Sequence, residues 1–164
     1  MKLFALLLAL SLFGCASYDG RGLVPYKSTA AEVEATMGRP AARVMKPDGG
    51  SVLYYPRGPG GRHSYAVLLG PDGRLQAIEQ RLTDANIAKI LLGTTTAREV
   101  RELLGPPPTI SNLPRLERDV WEYKMGDNTL PFVLWVQFSA DGIVREVFKA
   151  KDFDVEAASG SGLP

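Results

Sequence analysis

Lys27-Ser-Thr-Ala-Ala-Glu-Val-Glu-Ala-Thr-Met-Gly-Arg-Pro40 and Thr94-Thr-Thr-Ala-Arg-Glu-Val-Arg-Glu-Leu-Leu-Gly-Pro-Pro107 follow one pattern, written twice at an offset of 67 residues. Thr29/Thr96, Ala30/Ala97, Glu32/Glu99, Val33/Val100, Gly38/Gly105 and Pro40/Pro107 are identical pairs. Further on, Val52-Leu-Tyr-Tyr55 matches Val120-Trp-Glu-Tyr123, and Asp72-Gly73 matches Asp141-Gly142, with the offset drifting to 68 and 69. Three blocks in the same order point to an internal duplication, and small loop insertions explain the drift. Each copy opens with threonine followed three residues later by glutamate, a capping box that satisfies the orphan amides of a helix start. Val33 and Met37 in one copy, and Val100, Leu103 and Leu104 in the other, fall on one helical face. Gly38 and Gly105 then stop the helix, with proline close behind.

Segments rich in aromatic and β-branched residues follow each helix. In the first copy they are Ser51–Tyr55, Ser64–Leu69 and Leu75–Gln80. In the second they are Asp119–Lys124, Phe132–Phe138 and Ile143–Lys149. Pro71-Asp-Gly73 and Ala140-Asp-Gly142 are hairpin connectors. Thr83–Leu92 reads as a further helix with Ile87, Ile90 and Leu91 on one side. The expected fold class is therefore α+β: two tandem repeats, each a helix plus a three-stranded antiparallel sheet, with helices packed on one face of the sheet. The strand at Phe132–Phe138 is apolar on nearly both sides, so its core face is left unassigned.

The first fifteen residues carry a different message. Met1-Lys2 precedes a run of a dozen mostly apolar residues ending at Gly14, the composition of a secretory signal peptide. The run is shorter than the roughly 20 residues of a membrane-spanning helix. Leu12-Phe13-Gly14-Cys15 resembles the lipobox of bacterial lipoproteins. That resemblance implies lipid (palmitate among it) on Cys15 and cleavage just before it. Cys15 is the only cysteine, which also excludes an internal disulfide. Ala16 in place of aspartate implies outer-membrane sorting by the rule familiar from enteric lipoproteins. The expected organisation is a signal peptide over residues 1–14, a tether over 15–26, repeat 1 over 27–82, repeat 2 over 83–152 and a disordered tail over 153–164.

The 164 residues are 45% apolar and 23% charged, ordinary globular composition. Apart from Lys2 the charges balance, 18 against 18, so no strong positive field attracts nucleic acid. Catalytic candidates are few. His63, the one histidine, lies in a glycine-rich loop, and no Gly-x-Ser-x-Gly elbow accompanies it. Gly58-Pro59-Gly60-Gly61 leads into a strand rather than a helix start, so it is a hairpin loop and not a phosphate cradle. Carboxylates are scattered singly, without calcium-loop or paired-acid spacing. No catalytic residue, metal, cofactor beyond the Cys15 lipid, or small-molecule substrate is expected. Basic loops carry Arg57 and Arg62 beside His63, and Arg115 and Arg118 in the second copy. Tyr54, Tyr65 and Trp135 are the aromatics best suited to anchor a protein interface. Tyr54, Arg57, His63, Tyr65, Arg115, Arg118 and Trp135 are thus the candidate binding residues.

Gly93-Thr-Thr, Glu99-Val100, Leu103-Leu104-Gly105-x-Pro107, Trp121-x-Tyr123 and Asp141-Gly142 together resemble the SmpA/OmlA, or BamE-like, outer-membrane lipoprotein domain, present here in two tandem copies. The architecture is also similar to that of β-lactamase inhibitory proteins, where two such modules form one concave face. The resemblance implies a non-enzymatic, lipid-anchored protein on the periplasmic side of the outer membrane. It would bind envelope proteins, the barrel-assembly machinery among them, in envelope maintenance or outer-membrane protein assembly. The alternative is a periplasmic inhibitor that caps an enzyme with a concave sheet face. Gly93, Gly105, Pro107, Trp121 and Tyr123 read as turn and packing residues.

Overall fold

The computed structural model describes residues 19–57, 61–126 and 131–152. The expected signal peptide, Cys15, most of the glycine run at 58–60 and the expected tail at 153–164 lie outside the described residues. The element order is α1 (Ala30–Met37), β1 (Ala42–Met45), β2 (Ser51–Pro56), β3 (Ser64–Leu69), β4 (Leu75–Gln80), α2 (Asp84–Ile87) and α3 (Ala97–Leu104). It continues with β5 (Thr109–Leu113), a 3-10 turn at Pro114–Leu116, β6 (Arg118–Gly126), β7 (Pro131–Ser139) and β8 (Val144–Lys151). Strands β1 to β4 form one antiparallel meander and β5 to β8 a second.

This corrects the expected α+β class with three strands per repeat. The described residues are mostly β: two four-stranded antiparallel sheets with three short helices. The extra strands, β1 and β5, are edge strands whose residues are almost all exposed. They have no buried face, so they carry no alternation of apolar and polar residues to betray them. The helix expected over Thr83–Leu92 is one turn long. Beyond Ile87 the chain bends toward the second sheet, where the Gly93 amide donates to the Val144 carbonyl at 2.8 Å and the Thr95 hydroxyl captures the Leu91 amide at 2.8 Å. Leu91 and Leu92 are consequently exposed, not core-facing.

The duplication shows in backbone detail. Both capping boxes form: Thr29 and Thr96 each receive the amide three residues on, while Glu32 and Glu99 return to the threonine amides at 2.7 Å. Each helix start is pinned to the hairpin of its own sheet, Ala30 to the Gly73 carbonyl and Ala97 to the Gly142 carbonyl. Each third strand shifts register at its far end, at Leu68/Leu69 and Gln137/Phe138. Val33 and Met37 of α1 close over Leu53, Tyr55, Val67, Leu69 and Leu75. Val100 and Leu104 of α3 close over Trp121, Tyr123, Leu134, Val136 and Phe138. Each such fully buried aliphatic or aromatic side chain contributes about 1.5–3 kcal/mol.

Two contacts between the halves stand out among the described residues. Gly105, at the end of α3, sits against Tyr54 and Ser64 of the first sheet; its φ of +86° and this close approach leave no room for a side chain. The second contact is a buried ion pair. Arg62 donates to Asp152 at 2.7 Å and to the Met125 carbonyl at 3.1 Å, and Lys124 approaches the same carboxylate at 3.5 Å. The sheets remain separate, and the side of the first sheet turned away from α1 faces the second repeat. The likeness to β-lactamase inhibitory proteins, which rested on modules of one helix and three strands, is overturned with them.

Candidate protein-binding face

Strands β6 and β7 each expose two unlike sides. Trp121, Tyr123 and Met125 point toward α3, as do their neighbours Val136, Leu134 and Phe132 across the ladder. The alternate residues Val120, Glu122 and Lys124 then fall on the opposite side, paired with Gln137, Trp135 and Val133. Strand β8 adds Glu146, Phe148 and Ala150 to that side, all exposed. Its centre is an aromatic pair: the Trp135 and Phe148 rings stack with centroids 4.8 Å apart and planes 20° apart. The indole N–H donates to Glu122 at 3.0 Å, fixing the ring flat across the strands. Arg118 donates to Gln137 at 3.2 Å and lies 3.6 Å from Glu146. The face thus carries an aromatic pair anchored by Glu122 at its middle, with Val120, Val133 and Gln137 buried beside it and charges of both signs around it, features shared with protein-recognition patches. Phe148, 42% exposed, is its most accessible aromatic.

The other side of this sheet is occupied by the core. Burial pushes the Tyr123 phenol well above its usual range, so it stays a neutral donor to the Gly105 carbonyl at 3.0 Å. The Arg101 guanidinium covers the Trp121 ring at 5.2 Å. Gly93, Gly105, Trp121 and Tyr123 are therefore capping and packing positions, with Pro107 steering the chain from Gly105 toward β5.

The candidate binding residues do not converge on one site. Trp135 and Arg118 share the open face, with Arg115 exposed in the turn beyond its corner. Tyr54 is buried between the halves, where desolvation raises its phenol above the ordinary value. Arg57, His63 and Tyr65 gather at one end of the first sheet. Arg57 lies over the Tyr55 ring at 5.4 Å, and His63 is exposed and stacked parallel to Tyr65 at 5.8 Å. Ser64, next to His63, is buried and its hydroxyl has no partner. Arg62, which the sequence groups with exposed basic loops, is instead buried in the ion pair with Asp152. Phe148, Glu122 and Val133 went unmarked in the sequence. The signal available for them was a strand apolar on both sides with a helix to cover only one. Among the described residues no three His, Cys, Asp or Glu side chains come together to hold a metal, and no helix is long and apolar enough to cross a membrane.

No family model matches the chain, and no curated protein matches it. Among solved structures, a DUF4309 family protein (YjgB) from Bacillus subtilis is similar at 21% identity, covering 80% of this chain and 84% of that one, with a TM-score of 0.33. These findings overturn the resemblance to the SmpA/OmlA domain. The residues that carried it are helix caps, turn glycines and core aromatics, which any short helix packed on a sheet requires.

Proposed function

We propose that this chain is an exported lipoprotein, anchored through Cys15 on the periplasmic side of the outer membrane, that binds an envelope protein through the open face of its second sheet and carries out no reaction itself. The apolar leader and Leu12-Phe13-Gly14-Cys15 support the anchor. The single observation that carries the binding role is the Trp135–Phe148 stack held on a sheet face opposite the helix. Rigid, half-buried aromatics on a regular strand offer large contact area with little ordering cost.

The test places a photo-crosslinking amino acid at Phe148 in the full-length chain in cells, and at Tyr26 as a distant exposed control. A discrete adduct with an envelope protein at position 148, absent at position 26 and lost in Trp135→Ala, is the expected result. Equal adducts at both positions, or none at 148, would sink the binding role. Labelled palmitate that fails to mark the wild type, or marks Cys15→Ala equally, would sink the anchor.

A further inference from the structure

A cleft of about 760 Å³ lies between the two repeats, distinct from the open face. One wall is the side of the first sheet turned away from α1, with Val44, Val52, Tyr54 and Leu68. The other runs from Leu91 to Leu103 of the second repeat. Its volume falls within the roughly 300–1,000 Å³ of small-molecule sites, and a junction between units is where such sites concentrate. The lip is unusually apolar for a surface: Val44, Met45 and Leu91 are 42%, 65% and 60% exposed. Water-exposed aliphatic groups around an apolar slot are what a hydrocarbon chain would cover.

The charges lining the cleft are unequally satisfied. Glu99 is held by the Thr96 amide and hydroxyl, each at 2.7 Å. Lys46 is paired with Asp48 at 2.9 Å, and Glu102 lies 4.0 Å from Arg98. Arg81 reaches Glu79 at 2.9 Å through one terminal nitrogen, but its Nε is buried with no acceptor. Among the described residues Lys89 meets only the neutral amide oxygen of Asn86, at 2.8 Å. The unmet demand is for an anion or strong acceptor, because a buried N–H without a partner carries its full desolvation cost.

We propose that this cleft binds a molecule with one alkyl chain and an anionic head group. The chain lies between Val52 and Leu68 on one side and Leu103 on the other, and the head is held by Arg81 and Lys89. The probe is hexadecanoic acid bearing a diazirine on its chain, photolysed with the full-length protein in its membrane and mapped by mass spectrometry. The expected adducts fall on the peptides holding Val52, Leu68 or Leu91–Leu103. Labelling drops at least tenfold in Val52→Trp, which fills the slot from a half-buried position, and severalfold in Arg81→Gln. A parallel arm with photoreactive lysophosphatidylglycerol, which also has one chain, distinguishes the head groups: stronger labelling by the free acid assigns a carboxylate, by the lysophospholipid a phosphodiester. Adducts confined to other surfaces, or undiminished labelling of Val52→Trp, overturn the proposal. Should Val52→Trp fail to fold, competition on the unaltered protein decides. Excess hexadecanoate must erase the cleft adducts while hexadecanol leaves them; erasure by both removes the anionic head from the proposal, and by neither removes the site.

Discussion

Replacing Arg62 by alanine tests how the two repeats are held together. Arg62 is 8% exposed and its partner Asp152 is 2% exposed, so neither charge has water to fall back on. Removing one member of a buried pair costs about 3–5 kcal/mol, because the other charge is left without compensation. Lys124 remains 3.5 Å from the Asp152 carboxylate, which places the expected loss near the lower end, about 3 kcal/mol. For a chain of this size that lowers the melting temperature by roughly 6–12 °C. Urea unfolding followed by tryptophan fluorescence reads it directly, since Trp121 and Trp135 both report on the second sheet. Arg62→Met combined with Asp152→Leu should recover much of the loss, because neither fully buried charge remains and Lys124, which also loses Asp152, is partly exposed to water. Raising the salt concentration should change the wild-type value little, as buried pairs are poorly screened. A change below about 0.5 kcal/mol in Arg62→Ala, the size expected of an ordinary surface substitution, would refute the reasoning.

Gly105→Ala should destabilise by about 1–3 kcal/mol from its positive-φ, extended-ψ backbone alone, and by more because the added methyl meets Ser64 Oγ; Gly38→Ala, with the same backbone but open space around it, should show only the backbone part in the same urea titration. Glu32 and Glu99 are held below the usual carboxylate range by their threonine partners, so the ionised forms favour the fold. That contribution is complete above the unfolded value near 4.5 and disappears as pH falls through the lower folded values. Stability measured from pH 6 down to pH 2 should therefore fall less steeply in Glu32→Gln/Glu99→Gln than in the wild type. Burial pushes the Tyr55 phenol up to about 12. Its neutral form favours the fold, so the stability it contributes is intact below pH 10 and fades as pH rises toward 12; tyrosinate absorbance should show one fewer late-titrating group in Tyr55→Phe.

The parts legible in the sequence are those where local chemistry dictates backbone geometry. Thr29 and Thr96 with their glutamates, Gly38 and Gly105, and the two Asp-Gly turns each need only their immediate neighbours, so reading them requires no knowledge of the fold. The edge strands escaped because β1 and β5 make ladder hydrogen bonds on one side and pack little else, leaving side-chain identity almost unconstrained. Arg62 escaped for the opposite reason: its partner is ninety residues away, and nothing local distinguishes a buried arginine from an exposed one. Trp135 stood out by residue type, while its setting came only from register, which aligns it with Glu122 on one side and Phe148 on the other. Both sides of β7 are apolar, and only the placement of α3 says which of them is interior.

The tip of α3 nests on the first sheet because Ser64 and Ala66 present almost nothing there. Ladder pairing equates these with Val133 and Trp135 in the later copy: Pro56 and Tyr54 oppose the former pair as Lys124 and Glu122 oppose the latter. In the second sheet, bulk occupies the spot that the first leaves open. The seat that receives the tip of α3 on the first sheet is therefore not repeated on the second.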